Sequence, residues 1–90
     1  MAKAAVDPEE LLAFVAALKR FNDASKTELA AISRQFHRLG ETWRDEEQAQ
    51  FAESFELMVR VVGRFVEQSE RQVPLLTRKA GCIRDYLRSR

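Results

Sequence analysis

Few side chains in this sequence could carry out chemistry by themselves. There is one cysteine, Cys82, and one histidine, His37. A lone cysteine excludes an internal disulfide and a cysteine-rich metal site, and a single histidine removes most zinc sites and catalytic triads. We expect Cys82 to be a small packed residue or half of an intermolecular disulfide. For His37 we expect a surface position, with weak metal ligation together with Glu41 as the alternative.

The paired carboxylates are no better placed for catalysis. Glu46 and Glu47, and likewise Glu53 and Glu56, fall on predicted helix surfaces, where they serve as solvated charge and helix caps. No nucleophile stands beside a base in the sequence, and two helical rods do not enclose a pocket. We therefore predict a non-enzymatic protein that uses no cofactor, no metal and no small-molecule substrate.

Composition fits a single soluble or coiled-coil domain. Of the 90 residues, 46% are hydrophobic and 32% are charged, with a formal net charge of +1. That charge balance disfavours nucleic acid as a partner. No stretch reaches the roughly 20 apolar residues of a membrane span. Residues 1–7 lack the apolar core of a cleavable signal peptide, so none is expected.

Helix signals divide the chain into two long segments. Asp7 and Pro8 mark a helix start, and apolar or small residues then recur in steps of three and four as far as Leu39, which predicts a first helix over residues 8–39. Gly40 is expected to end that helix in the left-handed conformation. Asp45, with Gln48 three residues later, predicts the N-cap of a second helix over residues 46–88, with a kink or break near Pro74.

A connection this short, over residues 40–45, makes the two helices antiparallel neighbours. Equal rise along both helices places Phe36 near Phe51, Phe21 near Gly63 and Glu10 opposite Pro74. We expect the missing side chain of Gly63 to make room for the Phe21 ring. In this register residues 75–90 run past the first helix, so they continue the second helix, fold back or stay disordered. Their apolar members form a predicted docking segment: Leu75, Leu76, Ile83, Tyr86 and Leu87.

The apolar stripe is too wide for one neighbouring helix. Adjacent apolar pairs such as Leu57 with Met58 and Val61 with Val62 recur along both helices. One member of each pair can face the sister helix, and the other faces a second surface. The predicted fold is thus an all-α antiparallel two-helix hairpin that pairs into a four-helix bundle dimer. The predicted dimer or partner interface consists of Leu12, Val15, Leu57, Val61 and Val66.

The turn between the helices carries the most informative motif, formed by Gly40, Trp43 and Asp45. A tryptophan in a tight helix–helix turn is costly to expose, so we expect Trp43 to cap the hairpin core on Leu39 and Phe51. A chain near one hundred residues with two long helices and a Trp-bearing central turn resembles the WXG family, the ESAT-like substrates of type VII secretion. In that family the turn reads Trp-x-Gly, whereas this chain has Trp43-Arg44-Asp45.

This resemblance implies a type VII secretion substrate or paired carrier, present in the cytoplasm before export and secreted without a cleavable signal peptide. Its implied partners are a second copy, a paralogous hairpin and a secretion ATPase. The family commonly ends in a Tyr-x-x-x-Asp/Glu export signal, but here Tyr86 is followed by Arg90 at that spacing. Family members that lack the signal are exported with a partner that supplies it, or belong to a branch that is not exported.

A second hypothesis comes from the basic residues near the C-terminus. Arg78, Lys79, Arg84, Arg88 and Arg90 stand against one acid, Asp85. They form either a solvated helix face or a contact for an acidic protein, anionic lipid or nucleic acid. If they form such a contact, the chain is a cytoplasmic regulatory or adaptor bundle. Salt separates the two hypotheses, because nucleic-acid binding weakens steeply with salt.

Overall fold

Two antiparallel helices form the whole of the described structure. The computed structural model describes residues 6–89, in which α1 spans Pro8–Leu39 and α2 spans Glu46–Arg88. They lie side by side in a rod of 67 × 24 × 16 Å. The predicted all-α antiparallel hairpin is confirmed. Predictions that concern residues 1–5 and 90 fall outside the described part of the chain.

Both helices begin at an aspartate cap. The Asp7 carboxylate accepts a hydrogen bond of 2.9 Å from the backbone N–H of Glu9, and Pro8 occupies the first turn, where its missing N–H costs nothing. The Asp45 carboxylate accepts one of 2.9 Å from the N–H of Gln48. These bonds satisfy helix N-terminal donors that would otherwise lack a partner within the chain.

The connection departs from prediction at Gly40. This glycine has φ −62° and ψ −15°, so it is right-handed and not the left-handed cap that we predicted. The chain instead keeps turning in the helical sense: the Trp43 N–H donates to the Leu39 carbonyl at 2.9 Å, and the Arg44 Nε donates to the Gly40 carbonyl at 3.1 Å. The first bond satisfies the last carbonyl of α1 and the second satisfies that of the capping Gly40, without a left-handed residue.

Proline 74 does not break α2, which is continuous from Glu46 to Arg88. Of the predicted kink or break near Pro74, the break is therefore wrong, and the kink stays a prediction. Pro74 is exposed, and buried Ser69 and Ala80 on either side keep α2 packed against α1. The Thr77 hydroxyl also donates a hydrogen bond of 2.8 Å to the Val73 carbonyl, within the helical turn that contains Pro74.

The two helices overlap further than the predicted register allows. Arg84 donates to the Glu9 carboxylate at 2.7 Å, although the register put Pro74 at this level. Every helical side chain leans toward the N-terminus of its own helix, so in an antiparallel pair the two side chains lean toward each other across several residues of offset. The segment from Leu75 to Arg84 therefore lies alongside α1 as part of α2, and only the end of α2 projects beyond it.

The seam between the helices follows a strict heptad on α1. Every seventh residue is buried or half-buried, in the series Pro8, Val15, Asn22, Leu29 and Phe36. The facing residues of α2 that are buried are Phe55, Val66, Ser69 and Ala80. Val15 and Val66 therefore pack inside the hairpin, with Val66 only 2% exposed. Their assignment to an outer interface is wrong, because the two helices pack along one edge of the apolar stripe and not along its centre.

Candidate interaction surface

An aromatic cluster closes the turn end of the hairpin. The Phe36 ring lies 4.6 Å from that of Phe55 and 5.6 Å from that of Phe51, measured between centroids. Trp43 is half-buried, and its ring lies 6.3 Å from Phe51 at an interplanar angle of 33°. The predicted contact between Trp43 and Phe51 is confirmed. Trp43 anchors the turn to the first turns of α2, because its large apolar surface is partly removed from water.

One side of the hairpin is an exposed apolar surface, here called the apolar face. On each helix its residues are separated by seven or eleven positions, which correspond to about two and three helical turns. Each is between about a third and three fifths exposed. The apolar face consists of Phe14, Phe21, Ile32 and Leu39 on α1, and Phe51, Met58 and Phe65 on α2.

Two grooves show that these residues share one side of the hairpin. A groove of about 660 Å³ at the turn end is lined from both helices, with Ile32 and Leu39 across from Phe51 and Met58. A second groove of about 550 Å³ lies toward the other end, and its lining includes Phe14, Leu18, Phe65 and Leu76. Between the grooves, the Phe21 and Phe65 rings touch edge to face with centroids 6.1 Å apart.

The residues predicted for an outer interface differ in their exposure. Leu57 and Val61 are each 54% exposed but line neither groove, while Leu12 is half-buried. In the predicted docking segment, Leu75, Tyr86 and Leu87 are exposed, whereas Leu76 and Ile83 are half-buried beside α1. The predicted docking segment is thus the C-terminal part of α2 and not a separate tail.

The opposite side of the hairpin is polar. Lys26 bonds Glu70 at 2.6 Å across the helices, and this hydrogen bond and the Glu70 charge raise the pKa of Lys26. A raised lysine pKa means that the pair stabilises the fold below the ordinary lysine pKa of 10.5 and loses that effect only as pH rises above it. The hairpin therefore has one wet, ion-paired side and one apolar side.

The middle of the seam holds an unexpected polar layer. Asn22 is 2% exposed and Ser69 is 6% exposed, and neither amide atom of Asn22 nor the Ser69 hydroxyl forms a hydrogen bond among the described residues. Burying such groups without partners costs roughly 1–3 kcal/mol each. Asn22 was not among the residues predicted to face the sister helix. The heptad that runs through Val15 and Leu29 is the signal that would have placed it.

The structure leaves open space around Gly63, Cys82 and His37. A Cβ built on Gly63 meets nothing within 4 Å, so the prediction that its missing side chain accommodates Phe21 is wrong, and Phe21 packs on Phe65 instead. Cys82 is exposed near the C-terminal end of α2, so the expectation of a packed residue is wrong, whereas His37 is exposed near the turn, as expected. No group of three or more His, Cys, Asp or Glu residues within the described residues is arranged to hold a metal ion.

The fold and surface define a class, an antiparallel helical hairpin with an unpaired apolar face, and the exposed apolar residues suggest a protein partner. Neither helix of the described chain is long and apolar enough to cross a membrane. Comparisons with protein-family models, with curated proteins and with solved structures find no match.

Proposed function

We propose that this chain is a non-enzymatic protein-binding module that works by pairing its apolar face with a second helical hairpin. The observation that carries the proposal is the apolar face itself. It runs along both helices, while the opposite side carries the Lys26–Glu70 ion pair. Large contiguous apolar patches on soluble proteins mark binding surfaces. A second hairpin laid on this face would complete a four-helix bundle and bury the aromatic rings that are half-exposed in this structure.

The partner in this proposal is a second copy of the chain or a paralogous hairpin. Light scattering on a sizing column over a dilution series tests the first of these. We expect twice the 10.4 kDa chain mass at high concentration and the single-chain mass on dilution. A folded monomer at every concentration would exclude the homodimer, and the paralogous hairpin would then have to be supplied by co-expression.

A matched pair of substitutions tests which side binds. Ile32 lies on the apolar face, whereas Ala30 is exposed two residues earlier, about 200° round the same helix. We expect Ile32→Glu to weaken association at least tenfold, because a buried unpaired carboxylate is costly. Ala30→Glu introduces the same charge on the polar side and should leave the association constant unchanged. Equal effects from both variants would refute the assignment of the interface.

The family resemblance refines this proposal to a type VII secretion substrate or paired carrier of the ESAT-like kind. It is supported by the hairpin and by the Trp43 turn, which is packed on Phe51. In this role the Trp43 turn and the end of α2 near Tyr86 are the contacts for a secretion ATPase, and export needs a partner that supplies the missing signal. Secretion is tested by detecting a tagged chain outside cells that do or do not co-express a candidate partner hairpin. Retention in both cases would leave only the binding module.

The alternative function is a cytoplasmic regulatory or adaptor bundle that binds through its basic C-terminal segment. Its supporting observation is that Arg78, Lys79 and Arg88 are exposed on α2. Arg84, in contrast, is engaged with Glu9. This alternative predicts binding to an acidic partner or nucleic acid that weakens steeply with salt, which the apolar face would not produce.

A further inference from the structure

At the middle of the hairpin, polar and apolar residues occupy the reverse of their usual positions. The contacts Phe21–Phe65 and Lys26–Glu70 bracket Asn22 on α1 and Ser69 on α2, so both polar residues lie at one level of the seam. Asn22 is 2% exposed there, yet its neighbour Phe21 is 51% exposed and Phe65 is 50% exposed. A lone hairpin would gain by the opposite arrangement, with rings inside and amide outside.

A modest rotation of α1 about its own axis would take the hairpin toward that opposite arrangement. Successive helical residues are about 100° apart, so a turn of roughly 50° moves Phe21 toward the seam and Asn22 toward its edge. The polar contacts between the helices among residues 6–89 are two ion pairs, Lys26–Glu70 and Glu9–Arg84. Both join long side chains that are each at least 39% exposed and can follow such a rotation.

We propose that α1 has two rotational positions and that the partner selects between them. In the described position Phe21 faces outward to meet a partner hairpin and Asn22 is held in the seam. In the unpartnered hairpin α1 turns so that the Phe21 side enters the seam and Asn22 reaches water. The inference rests on the proposed pairing through the apolar face. A partner that covers this face favours the described position because it binds that position better.

Two serines on α1 report the rotation with little perturbation, because serine and cysteine have similar shapes. Both are half-buried, on opposite edges of the seam. Ser25 is eleven residues after Phe14 and seven before Ile32, which places it beside the apolar face. Ser33 lines a groove on the other side together with His37 and Gln48. Rotation of α1 would draw Ser25 into the seam and release Ser33 to solvent.

The experiment measures thiol-labelling rates of Ser25→Cys and Ser33→Cys, each in a Cys82→Ser background, over the dilution series that takes the dimer to the monomer. We expect the thiol at position 33 to label at least tenfold faster in the monomer, and the thiol at position 25 to stay slow. In an Asn22→Leu background the acceleration at position 33 should vanish, because leucine favours the described seam.

Two results would overturn the rotation. One is acceleration at position 25 without change at position 33, which means that the partner has simply left a fixed hairpin. The other is acceleration at both positions with loss of helical circular dichroism, which means that the monomer unfolds. If light scattering shows no dimer, the proposed pairing fails separately. The labelling of the monomer still decides which side of α1 occupies the seam.

Discussion

At the residue scale, the clearest structural role belongs to Trp43. Its ring is half-buried against Phe51 and belongs to the aromatic cluster of Phe36, Phe51 and Phe55 that closes the turn end. The hydrogen bonds that hold the connection are made by the backbone, including the bond from the Trp43 N–H to the Leu39 carbonyl. The side chain of Trp43 therefore contributes packing, while its backbone N–H bonds the Leu39 carbonyl whatever the side chain, so the two helices should persist without the ring.

We expect Trp43→Ala to lower the free energy of unfolding by about 1–3 kcal/mol, which corresponds to partial burial of a large aromatic surface. Urea unfolding followed by circular dichroism measures it, and helicity before the transition should be largely retained. Trp43→Phe is the control and should lose less than the alanine variant. Collapse of helicity in Trp43→Ala would show that the turn residue nucleates the whole fold.

A second residue-scale prediction concerns Gly63. Its position is helical and a Cβ there meets nothing within 4 Å, so alanine fits freely. We expect Gly63→Ala to raise the free energy of unfolding by about 0.5–1 kcal/mol, because glycine loses more backbone entropy in a helix. Gly81→Ala, at an equally open site, should behave alike. A destabilised Gly63→Ala protein would instead point to a close neighbour on the partner.

At the element scale, α2 tolerates a proline in its interior. Pro74 cannot donate a backbone hydrogen bond to the Glu70 carbonyl, and its ring crowds the preceding turn. The helix persists because Ser69 and Ala80 pack in the seam on either side of it. Tertiary packing thus outweighs a local propensity that, by itself, predicts a helix end.

Replacing this proline should strengthen α2. We expect Pro74→Ala to raise the free energy of unfolding by about 1–3 kcal/mol through the regained hydrogen bond and the better helix propensity. Thermal or urea unfolding measures the change. Pro8→Ala is the matched control, since Pro8 stands at the start of α1 and no helical bond is regained there. An unchanged or lower stability in Pro74→Ala would mean that the proline shapes α2 for packing.

At the scale of the whole molecule, the hairpin has two unlike sides. A rod of 67 × 24 × 16 Å has little interior of its own, and half-exposed phenylalanines lie along one side of it. Burying those rings against a second hairpin offers more apolar contact than the seam alone provides. The association should accordingly be governed by apolar contact and only weakly by charge.

Salt provides the whole-molecule test. Raising the ionic strength from about 0.1 M to about 1 M shortens the screening length from roughly 10 Å to 3 Å. We expect the dimer dissociation constant to stay within about threefold or to fall, because apolar burial is not screened. Sedimentation equilibrium at both salt concentrations measures it. A dissociation constant that climbs steeply with salt would mean that charge pairing, and not the apolar face, governs the association.

Local signals in the sequence are enough to predict the two helices of this protein. The caps at Asp7 and Asp45 and the helical spacing between Leu11 and Leu39 are local signals, and local hydrogen bonds and periodicity suffice to read them. The antiparallel hairpin then follows from the short connection, because two long helices joined over residues 40–45 have no other neighbour. The contact between Trp43 and Phe51 could be predicted for the same reason.

Which edge of the wide apolar stripe enters the seam depends on the packing of the two helices and could not be predicted from the sequence. Val15, Asn22 and Val66 are inside, while Phe21 and Phe65 are outside. An amphipathic stripe wider than one neighbour can pack along either edge, and the choice depends on how the helices rotate and lean against each other. The same lean carried Arg84 to Glu9, beyond the register that equal helical rise predicts. Periodicity fixes the spacing of a helix's apolar residues but leaves its rotation to the packing of both helices.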